Sequence, residues 1–115
     1  MLKRARRAAV VLALLWPPAC SPPPDPIVVE DSGIVVRNNT AREWKNVRVT
    51  VNDHFVGGVP LLVAHGRMNA PLSKFQTGFG QRFDPSHQVV FKVEVTATDS
   101  GGEPVSLRWG RDRNK

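Results

Sequence analysis

The chain has one cysteine, no tyrosine and no apolar run longer than nine residues, and each shortage removes a class of protein. A lone cysteine forms no internal disulfide, and without a CxxC or CxxCH pattern structural zinc, thioredoxin-type redox chemistry and haem attachment are all excluded. The longest apolar run, Ala8 to Trp16, spans about 14 Å as helix, against the ~20 residues a bilayer core requires. With tyrosine absent and only five Phe and three Trp, the chain lacks the usual makings of an aromatic binding platform. No stretch offers ten residues of amphipathic helix, and 115 residues leave room for one domain.

Positive charge is present, but not where a nucleic-acid binder needs it. The formal net charge is +6. Lys3, Arg4, Arg6 and Arg7 sit at the N-terminal end, while Arg111, Arg113 and Lys115 sit in the C-terminal tail. Between Asp25 and Trp109, nine Lys or Arg face nine Asp or Glu. The central region is neutral, so the sequence carries no electrostatic footprint for nucleic acid.

Residues 1–19, "MLKRARRAAVVLALLWPPA", place basic residues before the apolar run and end it at Pro17-Pro18, the layout of a signal peptide. Ala19-Cys20-Ser21 then offers a small residue before a cysteine. This segment resembles a bacterial lipoprotein signal, which implies that the Cys20 thiol takes a diacylglyceryl group and becomes the first mature residue. Pro17 and Pro18 stand where the lipoprotein motif prefers an aliphatic residue, and Pro17 where ordinary signal peptidase prefers a small one. Lipidation, cleavage without lipid, an uncleaved anchor and no export at all therefore stay open. The expected location is the membrane of a bacterial envelope on the periplasmic side, or a secreted or periplasmic soluble form. Residues 20–26 read as the lipidated cysteine and a Pro-rich linker, extended at ~3.1 Å per residue.

From Ile27 the apolar period is two. "KNVRVTVN" puts Val47, Val49 and Val51 on one face. "QVVFKVEVTAT" puts Val89, Phe91, Val93 and Val95 inward, with Lys92, Glu94 and Thr96 outward. Shorter runs lie at Ile27 to Val29, Ile34 to Val36, Phe55 to Val56, Leu61 to Val63, Ala70 to Leu72 and Val105 to Trp109. Turn signals separate them, including Asn38-Asn39-Thr40, Asn52-Asp53, Gly57-Gly58, His65-Gly66 and Asp84-Pro85. The pattern predicts an all-β, antiparallel, immunoglobulin-like β-sandwich of about seven strands over residues 27–109, followed by a basic tail at 110–115.

Val36 to Asn38, Trp44, Asn46 to Val51, Gly66 and Phe75 occur in an order that resembles small immunoglobulin-like or fibronectin-type sandwich modules of bacterial secreted proteins and lipoproteins, including those called FxLYD-like. The resemblance covers roughly residues 33–95. It implies a binding or spacer module and supplies no catalytic residues.

Few residues are of a type that carries chemistry. His54, His65 and His87 are the only histidines, and their spacing fixes no two ligands on one element. Asp53 beside His54 and Asp84 near His87 suggest an acid/base pair, but each also suits a turn. Ser73 or Ser86 would complete a triad on paper, without the GxSxG elbow that such a nucleophile needs. Asn38-Asn39-Thr40 is formally a glycosylation sequon and reads as a turn. In "SKFQTGFGQRFDP", Phe75, Phe79 and Phe83 recur every four residues across Gly78 and Gly80. Rings there cap the sandwich, and Phe79, between its glycines, is the candidate for an exposed partner contact. Trp44 and Trp109 are expected to close opposite ends of the core. The sequence thus predicts a non-catalytic envelope module. It makes protein–protein contact or acts as a spacer, is held to the membrane through Cys20, and has no cofactor or nucleic-acid partner. The alternative is a small metal-dependent or hydrolytic enzyme using the loop histidines.

Overall fold

The computed structural model describes residues 24–110. The segment carrying Cys20 and the tail from Arg111 lie outside the described residues. Seven strands form: β1 (Ile27–Val29), β2 (Gly33–Arg37), β3 (Trp44–Val51), β4 (Phe55–Leu62), β5 (Arg67–Pro71), β6 (Lys92–Asp99) and β7 (Pro104–Gly110). They make two antiparallel sheets, one of three strands in the order β1-β2-β5 and one of four in the order β4-β3-β6-β7. The all-β sandwich expected from the alternating valines is what forms.

Its core is the set of residues that the period of two points inward. Val47, Val49 and Val51 from β3 meet Val93, Val95 and Ala97 from β6, and Ile27, Ile34 and Val36 come from the other sheet. Each of the Val and Ile side chains stabilises by about 1.5–3 kcal/mol when fully buried. Trp44 is buried with them as expected, although it lies three residues before Val47 and strict alternation would place the two on opposite faces. A bulge resolves the conflict. The β3–β6 register shifts between Lys45 and Arg48, with Asn46 in the left-handed region at φ 53°. The extra residue restores Trp44 to the core face. Trp109 lies on the inward side of β7 opposite Val93, half-buried against the core at the other end of β6 from Trp44.

Three sequence expectations need correction. Gly57-Gly58 is no turn but the interior of β4, which joins the two short runs expected on either side. A Cβ on Gly57 would lie 3.1 Å from the Phe75 ring, so the glycine makes room for that ring against the sheet. Second, β6 begins at Lys92, leaving Val89 79% exposed and Phe91 only half-buried. The cause is Asn52, whose side-chain amide donates to the Val89 carbonyl at 2.9 Å and accepts from the Phe91 and Lys92 N–H groups at 2.8 and 3.2 Å. Those bonds occupy the backbone that would otherwise extend the ladder. Third, Lys92 keeps its outward parity yet is buried, drawn against the β3–β4 turn where its ammonium meets Asp53 at 2.8 Å.

A matching clamp stands at the other end. Asn38 is 0% exposed. Its Nδ2 donates to the carbonyls of Arg42, Leu62 and Val63 at 2.8, 3.2 and 3.1 Å, and its Oδ1 accepts from the Thr40 N–H and hydroxyl at 3.0 and 2.6 Å. The sequon is a turn, as read, and its amide nitrogen is closed to glycosylation.

Candidate interaction site at the Phe79 hairpin

The connection from β5 to β6 carries Phe79, the most exposed of the large exposed hydrophobic residues described. After a short 3-10 turn at Leu72–Lys74, the chain runs back on itself between Phe75 and Phe83. The Phe83 N–H donates to the Phe75 carbonyl at 2.9 Å, and the Thr77 N–H donates to the Gln81 carbonyl at 2.9 Å. Between them Gln76 bridges Arg82. The result is a small hairpin whose tip is Gly78-Phe79-Gly80.

Each end of the hairpin has a physical reason for its position. At the base, Phe75 and Phe83 are buried, and Phe83 packs edge-on against Phe55 with ring centroids 5.1 Å apart. One flank docks on the sheet, since Val56 and Gln76 exchange both backbone hydrogen bonds, at 2.8 and 3.3 Å. At the tip, Thr77 Oγ1 accepts from the Phe79 and Gln81 N–H groups at 3.3 and 3.1 Å, and the Gly80 N–H donates to the Thr77 carbonyl at 3.0 Å. Gly80 sits at φ 85°, a conformation that suits glycine and few others.

On this braced support Phe79 is 98% exposed. Nothing lies within 4 Å of where a Cβ on Gly78 or Gly80 would stand, so the ring projects clear of the domain surface. The spacing of Phe75, Phe79 and Phe83 is therefore no helix: the first and last stand buried at the base of a hairpin and the second at its apex. The sequence does carry the hairpin signal, a short glycine-containing loop between flanking runs. It gives no sign that Gln76 docks on Val56 or that Thr77 orders the tip.

The hairpin has a definite place relative to the start of the domain. Pro26 accepts from the Arg37 N–H at 2.8 Å and Pro24 from Asn39 Nδ2 at 2.7 Å, so the chain enters beside the β2–β3 connection. Gln76 docks antiparallel on the first turn-side residues of β4, at the opposite pole. Running antiparallel to β4, the hairpin heads out past that pole. With strands of eight residues at ~3.3 Å each, roughly 25–30 Å separate Phe79 from the point where the chain enters.

The alternative chemistry does not assemble. His54 and His87 belong to loops at the Phe79 pole, while His65 lies at the other, donating its N–H to the Thr40 carbonyl at 3.1 Å. Among the described residues no group of three or more His, Cys, Asp or Glu is placed to hold a metal. Asp84, Ser86 and His87 do cluster, with Ser86 Oγ 2.6 Å from Asp84 Oδ1 and His87 Nδ1 2.7 Å from Asp84 Oδ2. A hydrolytic triad needs the acid on one ring nitrogen and the serine on the other. Here Ser86 Oγ lies 3.3 Å from Nδ1, the nitrogen already facing the acid, and its proton is directed to Asp84. The cluster is a turn: Asp84 Oδ1 also accepts the Ser86 N–H at 3.0 Å. The Ser86 hydroxyl first, then His87 and the Ser86 N–H, hold the Asp84 carboxyl down to about 2. A hollow of about 450 Å³ beside it is lined by Asn52, His87, Gln88, Val89 and Phe91, with no Ser, Thr, Cys or Lys in the lining. Asp53 is committed to Lys92.

The chain matches no protein-family model, no curated protein and no solved structure.

Proposed function

We propose that this chain is an exported binding module, tethered through a lipid on Cys20, whose sandwich offers the Phe79 hairpin to a protein partner in the bacterial envelope. The observation that carries the reading is a 98% exposed Phe on an ordered tip at the pole away from the chain's point of entrance. Burying one Phe is worth about 2–3 kcal/mol, which folding leaves unused here and association can recover. The hairpin also costs little to order on binding, since Thr77 and the Val56–Gln76 bonds already hold it. From Ala70 to Arg82 the sequence has two cations, Lys74 and Arg82, and no acid. The complementary surface is an apolar pocket with an acidic rim.

The experiment places a photo-crosslinking amino acid at position 79 in living cells and, as a control, at Thr40 on the opposite pole. A discrete protein adduct at 79 alone, competed by the purified wild-type chain but not by its Phe79→Ala variant, supports the reading. Equal labelling at both positions, or lipid adducts only, overturns it. Because the ring touches nothing, Phe79→Ala is expected to leave the melting temperature within about 2 °C of wild type, in keeping with surface changes below ~0.5 kcal/mol. The intact mass of the protein from its own cells tests the tether separately: residues 20–115 plus a diacylglyceryl group are expected.

A further inference from the structure

Three strands face four, and β5 is an edge of the shorter sheet. Bonds at its two ends fix which of its backbone groups are spent. The Leu72 N–H donates to the Ser32 carbonyl at 2.9 Å, and the Asn38 N–H donates to the Gly66 carbonyl at 2.8 Å. By the alternation of an antiparallel pair, Met68 and Ala70 bond to β2, while the backbone groups of Arg67 and Asn69 and the Pro71 carbonyl point the other way. Among the described residues nothing pairs with them there. The strand on that side is β4, whose own edge is taken at both ends. Gln76 bonds the backbone of Val56, and Asn38 Nδ2 bonds the Leu62 carbonyl. Joined only by residues 63–66, β4 and β5 touch, yet beside Met68 and Ala70 they leave a hollow of about 310 Å³. Gly58, Val59, Met68, Ala70, Lys74 and Phe75 are in its lining.

Charge of one sign surrounds this opening. From Phe55 to Phe83 the chain has no Asp or Glu, while it has Arg67, Lys74 and Arg82. Arg67 also stands directly opposite Arg37 of β2, a like-charged pair that costs stability. Among the described residues none of these four cations makes an ion pair. Glu30 lies on the other side of β2, at Gly33.

We propose that the free edge of β5 takes an extended acidic segment of a partner protein as a fourth strand. The incoming strand bonds to the backbone of Arg67 and Asn69, and its side chains alternate between two environments. Those on the core side fill the hollow against Val59, Met68 and Phe75. Those on the outer side stand beside Asn69 and Arg67, where a carboxylate offsets the repulsion between Arg37 and Arg67. Lys74, in the lining, offers a further cation. The recognised pattern is aliphatic residues alternating with Asp or Glu over the 5 residues that β5 can pair. This contact requires neither Phe79 nor a lipid on Cys20.

The test uses the full chain in mild detergent with a short synthetic peptide that alternates Val with Glu. A counterpart with Lys for Glu and a shuffled form with its Glu residues consecutive serve as controls. Only the alternating acidic peptide is expected to bind. At saturation, hydrogen exchange followed by NMR is expected to slow at least about tenfold at the Arg67 and Asn69 amides, which are open in the free chain. The Met68 and Ala70 amides, already bonded to β2, are expected to change little. Asn69→Pro removes an N–H that β2 does not use, at an exposed edge position where proline is tolerated. It is expected to lower peptide affinity at least about tenfold. Arg67→Glu sets an acid opposite Arg37, which favours the fold, and is expected to weaken binding of the acidic peptide about three- to tenfold. Unchanged exchange at the two amides with millimolar peptide overturns the proposal. So does affinity that neither variant lowers, or equal binding of the Lys or shuffled peptide, which would mean charge or composition alone. Arg67 and Asn69 amides that become protected as the chain alone is concentrated would place a second copy on the edge and overturn it too.

Discussion

Replacing Asn38 by Asp changes one atom group and reverses its hydrogen-bonding sense. In the native chain Nδ2 faces three carbonyl oxygens, those of Arg42, Leu62 and Val63, at 2.8, 3.2 and 3.1 Å, and is wholly removed from water. A carboxyl group in that place offers at most one proton to the three. Nδ2 brings two protons and a neutral carboxyl only one, and a buried carbonyl left without its donor costs about 1–3 kcal/mol, so Asn38→Asp is expected to cost about that much even in its protonated form. A domain of this size has roughly 5–12 kcal/mol in all. The introduced acid is pushed up in the folded state by burial and by the facing carbonyl dipoles, whereas it is ordinary when unfolded. Its folded form therefore binds the proton more tightly. The stability that remains is fully present below the unfolded value near 3.9 and is lost, by about 1.4 kcal/mol per pH unit, as pH rises toward the folded value. Denaturant unfolding followed by tryptophan fluorescence measures this directly, because Trp44 is buried in the same core. Wild type and variant are compared at several values between pH 4 and 8. A deficit under about 1 kcal/mol that does not grow with pH would refute the account of Asn38 as a buried donor clamp.

Gly57→Val is expected to destabilise by about 1–3 kcal/mol, because its Cβ starts 3.1 Å from a Phe75 ring that is itself buried and has nowhere to retreat; thermal unfolding checks it, and a neutral result would mean that the ring does not lie there. The Asp84 carboxyl, lowered to about 2, contributes stability above its unfolded value of 3.8 that is lost as pH falls through about 2. Its carbon-13 titration is expected to have its midpoint at about 2, and Ser86→Ala is expected to move that midpoint upward more than His87→Ala does.

The sandwich was legible because its strands are half-exposed. Alternation along Val47, Val49 and Val51 exists only because one face meets a core and the other meets water, so burial wrote itself into the order of residues. The same rule misled where a side chain interferes with the backbone. "QVVF" has strand composition, and its valines and Phe suit a core. Only the approach of Asn52 from 37 residues away, taking the Val89 carbonyl, keeps that segment out of the ladder. Asn38 and Asn52 both look like turn residues in sequence, and they are; that each also brackets backbone from distant strands depends on contacts the local order cannot express. Gly57-Gly58 illustrates the opposite case, where a turn signal becomes strand because a ring from another segment needs the space. For the candidate site, Phe79 was legible through its glycines, which no core position would favour on both sides. Its bracing was not, because the Val56–Gln76 pairing joins segments twenty residues apart.

Where the hairpin points follows from parity. Each connection in this fold reverses the chain, so odd strands run from the pole beside Pro24 toward the far pole and even strands run back. Connections that follow an odd strand lie at the far pole, and those that follow an even strand lie at the near one. Phe79 follows β5, so it must stand away from the N-terminal side. The seventh strand, being odd, also ends at the Phe79 pole, at Gly110. This ordering has a consequence for any design that moves the site. Grafting "QTGFGQ" between β6 and β7 would preserve its local hairpin but turn it toward the chain's point of entrance. A module tethered by its N-terminus would then present Phe79 to its own membrane rather than to a partner beyond it. Partner cross-linking should be lost in such a graft while the fold and the ring's exposure persist, which separates the direction of presentation from the chemistry of the ring.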